Sequence, residues 1–93
     1  MYDRINQWNK FCLQVNKHIE QYTLKQYGSE VGAEQIDNFT IEDCWTNIQR
    51  YYNRRNSNVR GDKEKLRDVI KVAHYSQFIY NKLKEEFKIG DMY

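Results

Sequence analysis

The sequence predicts an all-α protein, built as a three-helix antiparallel bundle with long first and third helices. The chain has 93 residues and no proline, so long uninterrupted helices are possible. Apolar residues recur at spacings of three and four in three segments, which glycine-containing stretches separate. We therefore expect a single helical domain over residues 1–93, with helices at about 3–27, 41–55 and 63–88.

The first helix is predicted from an apolar seam that resembles a heptad repeat. Its members are Ile5, Trp8, Cys12, Val15, Ile19 and Tyr22. Such a seam needs a partner helix, from this chain or from another copy. Gly28 is a suitable end, because glycine takes the left-handed conformation that follows many helices. The connection over residues 28–39 is long for a link between two helices.

The second helix is expected to begin after Thr40, which forms a capping-box pattern with Asp43 three residues later. Its expected buried face comprises Ile41, Cys44, Trp45, Ile48 and Tyr52. The adjoining face carries Asn47, Arg50, Tyr51 and Arg54.

The third helix is expected to be capped by Asp62 and to end at Gly90. Its segment 69–80 is the most apolar run of the chain, and it is apolar over most of the helix circumference. A helix of this kind must be covered on several sides. One narrow polar stripe, formed by Arg67, Lys71 and His74, has to face either solvent or a ligand.

Composition favours self-association. So short a chain buries a modest share of its surface, and 15% of its residues are aromatic, with eight tyrosines whose hydroxyls need partners. A homo-oligomer would relieve both problems. We expect Cys12 and Cys44 to be small buried thiols, and no apolar run approaches the length of a membrane span. These features, with no signal-peptide pattern, favour a cytoplasmic protein without a membrane partner.

Basic residues are concentrated around the turn between the second and third helices. Residues 50–60 hold four arginines and no acidic residue. The candidate ligand-binding residues there are Arg50, Tyr51, Arg54, Arg60, Arg67, Lys71, His74 and Tyr75. Arginine binds two phosphate oxygens at once, and tyrosine can stack on a base or ring. The alternative is a solvated basic face with ordinary ion pairs, such as Arg67 with Glu64 or Asp68 with Lys71.

Other chemistries have weaker support in the sequence. Neither a paired-histidine nor a CxxC metal motif is present, so we expect no metal and no cofactor. No ExxE motif occurs, although all-α nucleotide pyrophosphohydrolases use one to hold magnesium. An enzyme is therefore a minor hypothesis. A small nucleic-acid-binding protein stays possible through the local basic charge, without any defined recognition motif.

Several segments resemble small helical proteins that are common in phage genomes. The matching residues are Tyr27-Gly28, Ile41-Glu42-Asp43-Cys44, Ile48-Gln49-Arg50-Tyr51, Arg54 or Arg55, Arg60-Gly61 and the block from Leu66 to Tyr75. The last block resembles the "DLxKxxHY" helix of such proteins, and the resemblance covers about half the chain. It implies a phage-type origin, with the cytoplasm of the host cell as its location, and says little about chemistry.

We expect a non-enzymatic, phage-type anti-defence protein that binds a phosphate-bearing ligand, either a nucleotide or a cyclic nucleotide signal. The clustered arginine, lysine, histidine and tyrosine side chains motivate this expectation. The alternatives are a protein-interaction inhibitor of a host defence complex and the small nucleic-acid-binding protein. Tyrosine and arginine at an exposed face would suit the inhibitor, because both are enriched at interface hot spots.

Overall fold

The computed structural model of the chain describes residues 3–24, 38–57, 59 and 61–93. It divides into two units, Met1–Asn38 and Phe39–Tyr93, each taken here by itself. Within the described residues every regular element is helical and none is a strand, which confirms the all-α class and the presence of three α-helices. The antiparallel bundle, and the assignment of residues 1–93 to a single domain, stay predictions.

The first unit contains α1, Arg4–His18, which continues as a π-helical segment over Ile19–Leu24. Asp3 caps α1, because its Oδ1 accepts a hydrogen bond of 3.1 Å from the backbone N–H of Asn6. The expected α-helical pattern thus changes at Ile19 to the wider π pattern. The end expected at Gly28, and residues 28–37 of the connection, lie outside the described residues.

The second unit is a helical hairpin of α2, Ile41–Asn53, and α3, Asp62–Phe87. The two helices pack against each other and run antiparallel. Arg54, just after α2, bonds Asp68 near the start of α3, whereas Phe39, just before α2, stacks on Tyr75 further along α3. The expected capping box is confirmed: Thr40 Oγ1 accepts from the Asp43 N–H at 3.0 Å, and the Asp43 carboxylate accepts from the Thr40 N–H at 2.9 Å.

The buried apolar side chains of the described residues are Cys44, Tyr51 and Ile79. Trp45 and Tyr52, expected on the buried face of α2, are instead 51% and 59% exposed. They are exposed because α2 is rotated about its axis so that a different line of residues faces α3. Cys44 and Tyr51 are seven residues apart and form one line toward α3, whereas Trp45 and Tyr52 lie about 100° further round.

Two helix-end predictions were wrong. Gly61, and not Asp62, is the N-cap of α3; its φ of 83° is a conformation that glycine adopts readily, and Asp62 becomes the first helical residue. At the other end, the helix stops at Phe87 and Lys88 takes the left-handed conformation, two residues before Gly90, where we expected the end. The N–H of Lys88 donates to the carbonyl of Glu85 and that of Ile89 to the carbonyl of Lys84, which is the Schellman pattern.

Candidate functional site

Tyr51 is the centre of the cluster that the hairpin assembles. The side chain faces α3 and is 6% exposed. The ring packs against Tyr75, with ring centroids 6.1 Å apart. Three cations surround the same ring: Arg50 Cζ at 5.3 Å, Arg54 Cζ at 4.8 Å and Lys71 Nζ at 5.6 Å from its centroid. We call Arg50, Tyr51, Arg54, Asp68 and Lys71 the Tyr51 cluster.

Arg54 is engaged within the protein. Its Nε and Nη2 atoms donate to the two carboxylate oxygens of Asp68 over 2.8 and 2.6 Å, a bidentate pair. The Asp68 side chain is 12% exposed, so its charge needs this partner. The same bond raises the pKa of Arg54 above its ordinary value. Arg54 therefore links α2 to α3 and neutralises Asp68, and both ends of its fork are occupied.

Arg67 is also paired. Its guanidinium bonds Glu64, which lies one turn earlier on α3. This ion pair is one that the sequence suggested for a solvated basic face. The other suggested pair, Asp68 with Lys71, is replaced by Asp68 with Arg54, because the antiparallel hairpin brings the arginine fork to the carboxylate. Two of the candidate arginines are thus compensated by acidic partners.

Arg50 and Lys71 differ from these arginines. In the part of the chain that the structure describes, no carboxylate lies within ion-pair distance of either group. Arg50 is exposed, and its Nη2 donates to the hydroxyl of Tyr51 over 3.3 Å. Both cations lie against the same tyrosine ring. An arginine fork, an ammonium group and a phenolic hydroxyl are donors suited to an anion.

The remaining candidate site residues either lie beside the Tyr51 cluster or are not among the residues that the structure describes. Tyr75 touches Tyr51 and stacks on Phe39, with planes 3° apart and ring centroids separated by 6.3 Å. His74 packs on Phe78, with ring centroids 4.8 Å apart. Arg60 lies outside the described residues. Sequence reasoning missed the aromatic contact of Phe39, and it placed Asp68 with the wrong partner.

A cleft of about 320 Å³ runs along another side of the hairpin seam. Its walls are mainly apolar, and Arg55 and Lys65 stand at its edge. Tyr51 and Asp68 line this cleft and also belong to the Tyr51 cluster. The lining residues are Ile48, Tyr51, Tyr52, Arg55, Lys65, Asp68, Val69 and Val72. No sequence motif indicated this cleft, because it depends on how the helices are paired.

Thiol chemistry has little support in this geometry. Cys44 is fully buried, and burial raises the pKa of its thiol, which disfavours the reactive thiolate. Cys12 is half-buried on α1. Among the described residues, no group of three or more His, Cys, Asp and Glu side chains is placed to hold a metal ion. The described helices also include none that is long and apolar enough to cross a membrane.

Comparisons with family models, with curated proteins and with solved structures find no match to this chain. The phage-type resemblance therefore stays a sequence-based proposal. The geometry of the hairpin is the basis for inferring function.

Proposed function

We propose that this protein is a non-enzymatic binder of a phosphate-bearing small molecule, such as a nucleotide or a cyclic nucleotide signal. One observation carries the proposal: Arg50 and Lys71, without carboxylate partners in the described residues, converge on the ring of Tyr51. Two neighbouring cations repel each other, and the face of a tyrosine ring offsets only part of that repulsion. A bound phosphate would offset it.

The three groups have separate roles in this proposal. Arg50 binds two phosphate oxygens through its planar fork, and Lys71 adds a point charge. The hydroxyl of Tyr51, which already accepts from Arg50, donates its own proton to a third oxygen. Arg54 and Asp68 position Tyr51 from behind, since Arg54 stacks on its ring while it bonds Asp68. Tyr75 and His74 supply aromatic surface next to the cluster for a base.

The biological role follows from the phage-type resemblance. Binding would withhold a nucleotide signal from a host defence receptor, an anti-defence action that needs no catalysis. This anti-defence role depends on the binding proposal, so an absence of ligand binding would contradict both. It also places the protein in the host cytoplasm.

The test is isothermal titration of the purified protein with inorganic phosphate, ATP and a cyclic dinucleotide. We compare the unmodified chain with Arg50→Ala, Lys71→Ala and the double variant. Charge-assisted hydrogen bonds contribute about 1.5–3 kcal/mol each, so each single variant should bind about tenfold or more weakly. The double variant should show no measurable binding.

Arg55→Ala is the matched control. Arg55 is also an exposed arginine, although it lies two residues after α2, and it also stacks on a tyrosine, with its Cζ 3.9 Å from the centroid of Tyr52. It lies at the cleft, away from Arg50 and Lys71. Its removal should change affinity less than about twofold. Absence of binding by all three probes, or an equal loss in Arg55→Ala, would contradict the proposal.

A second candidate is the protein-interaction inhibitor of a host defence complex. The exposed Trp45 and Tyr52, next to Arg55, favour it because these three residue types dominate interface hot spots. A host protein recovered with the unmodified chain, and lost with Trp45→Ala but retained with Arg50→Ala, would support this candidate over ligand binding. Steeply salt-dependent binding to DNA or RNA would instead indicate the nucleic-acid hypothesis.

A further inference from the structure

The α3 helix carries a second apolar stripe, which lies beside the face that packs on α2. Its members recur at strict spacings of three and four over three heptads: Leu66, Val69, Ala73, Ser76, Tyr80, Leu83 and Phe87. Leu66, Val69 and Phe87 are each more than half exposed. A strict 3.5-residue repeat is the pattern of a helix that packs against another helix through knobs and holes.

The α2 helix supplies a parallel stripe beside it. Ile41, Trp45, Ile48 and Tyr52 follow at spacings of four, three and four. Ile48 and Tyr52 meet Val69 and Val72 across the cleft of about 320 Å³. Every large apolar side chain of α2 and α3 that is exposed lies on these two stripes, and these are Trp45, Tyr52, Leu66, Val69, Tyr80 and Phe87. The hairpin therefore has one continuous apolar face.

We propose that a second copy of this chain covers this face, so that two α2–α3 hairpins pack as an antiparallel four-helix bundle. The six side chains are 47–67% exposed, and a large aromatic side chain has about 150–250 Å² of surface, so together they present roughly 600 Å². A standard stable interface buries about 800 Å² on each partner. The area of the face thus fits one equal partner, and a heptad face of this kind is complementary to a helical one.

The polar groups of the face also fit burial against an identical face. Ser76 is the polar member at the centre, and its hydroxyl donates to the carbonyl of Val72 over 2.8 Å, so its burial leaves no unsatisfied donor. The charge of Asp68 at the floor of the cleft is neutralised by Arg54. Arg55 and Lys65 stand at the margin. Two copies related by a twofold axis therefore meet without like charges at their centre.

The small side chains give the interface its shape. Ala73 and Ser76 lie between the bulkier Val69 and Tyr80, so they leave a depression in the middle of the stripe. In an isologous contact, this depression accepts a large side chain of the other copy, and Trp45 has the volume to fill it. Arg50 and Lys71 do not belong to the stripes, so the dimer leaves the proposed ligand site open.

The test is native mass spectrometry and sedimentation velocity of the full chain. We expect a species of twice the 11.4 kDa chain mass at micromolar concentration. Leu66→Glu and Val69→Glu place a carboxylate at the first and second positions of the stripe. Each should weaken dimerisation at least about 100-fold, because it puts a charge into an apolar contact. Far-UV circular dichroism reports whether each variant is folded. If Val69→Glu does not fold, the result for Leu66→Glu tests the proposal.

Two variants serve as controls. Asn81→Glu makes the same neutral-to-acidic change on an exposed position of α3 that is one residue off the stripe. Trp8→Glu makes an acidic change on the exposed seam of α1. Both should remain dimeric. A monomeric unmodified chain, a dimer that survives both stripe variants, or a dimer that Trp8→Glu abolishes would each overturn the proposal. In those cases a second copy does not cover the face.

Discussion

Tyr51 shows how much one side chain decides in a small protein. Its ring is buried in the hairpin seam, and its hydroxyl accepts from Arg50, so the polar end of the side chain has a partner. Arg54 lies over the ring while it holds the carboxylate of Asp68. Tyr51 thus contacts both the internal ion pair and the two cations Arg50 and Lys71. A change at Arg54 should therefore affect stability, and a change at Arg50 should affect binding.

We predict that Arg54→Ala lowers the free energy of unfolding by about 2–3 kcal/mol, because it removes the bidentate partner of the largely buried Asp68 carboxylate. Arg54→Lys keeps the charge but cannot reproduce the bidentate pair, so it should have an intermediate effect. Urea unfolding followed by circular dichroism measures both.

Arg55→Ala is the adjacent control. Arg55 is exposed and donates to the backbone carbonyl of Tyr52, so its loss should cost less than about 1 kcal/mol. Equal destabilisation by Arg54→Ala and Arg55→Ala would mean that the pair with Asp68 contributes no specific stability.

At the level of the elements, the start of α2 is the helix boundary that the sequence indicates most clearly. Thr40 and Asp43 satisfy each other's backbone N–H groups, and these bonds to Thr40, led by the one from its backbone, lower the pKa of Asp43 below its ordinary value. A lowered pKa in the folded state means that the unfolded chain takes up the proton first as the pH falls. The part of the box that depends on the Asp43 charge is therefore fully present above the ordinary aspartate pKa and is lost as the pH falls through the lowered pKa of the folded state.

We predict that Thr40→Ala destabilises the protein by about 1 kcal/mol at neutral pH, whereas Thr46→Ala, at an exposed position inside α2, changes stability by less than about 0.5 kcal/mol. Asp43→Asn should lower the urea midpoint at neutral pH. Its difference from the unmodified chain should shrink once the pH falls below the ordinary aspartate value of 3.8. A difference that is constant across this range would exclude a role for the carboxylate charge.

For the whole molecule, the notable feature is how few apolar side chains are buried. In the described residues they are Cys44, Tyr51 and Ile79, whereas six large ones on α2 and α3 are exposed on one face. Burial of apolar surface is the main favourable contribution to folding, so the proposed second copy would stabilise so short a chain by covering that face. Assembly and folding should then be thermodynamically linked.

We predict that the melting temperature rises with protein concentration, by about 5 °C between about 1 and 100 µM, since the second copy stabilises the folded state by mass action. Differential scanning fluorimetry or calorimetry at several concentrations measures this. Val69→Glu should remove the dependence, and Asn81→Glu should keep it. A melting temperature that is independent of concentration for the unmodified chain would show that the monomer is stable without a partner.

Local patterns in the sequence were sufficient for part of this description. The helical class, the three α-helices and the Thr40 capping box depend on interactions between residues at most four positions apart. The spacing of apolar residues in the sequence therefore indicates the helices directly. The ion pair of Arg67 with Glu64 is of the same local kind, three residues apart on one helix. The helix-end predictions at Asp62 and Gly90 failed because Gly61 and Lys88 adopt the special backbone conformations instead.

The remaining features depend on the pairing of α2 with α3. In that pairing, Cys44 and Tyr51 form the buried line of α2, and Trp45 and Tyr52 are exposed. It also joined Arg54 to Asp68, which are 14 residues apart, and so left Arg50 and Lys71 as the cations beside Tyr51 without a carboxylate partner in the described residues. Helix rotation and register set these contacts, and one-dimensional periodicity does not encode them. Two apolar stripes on a helix look alike in sequence, and only packing decides which one is buried.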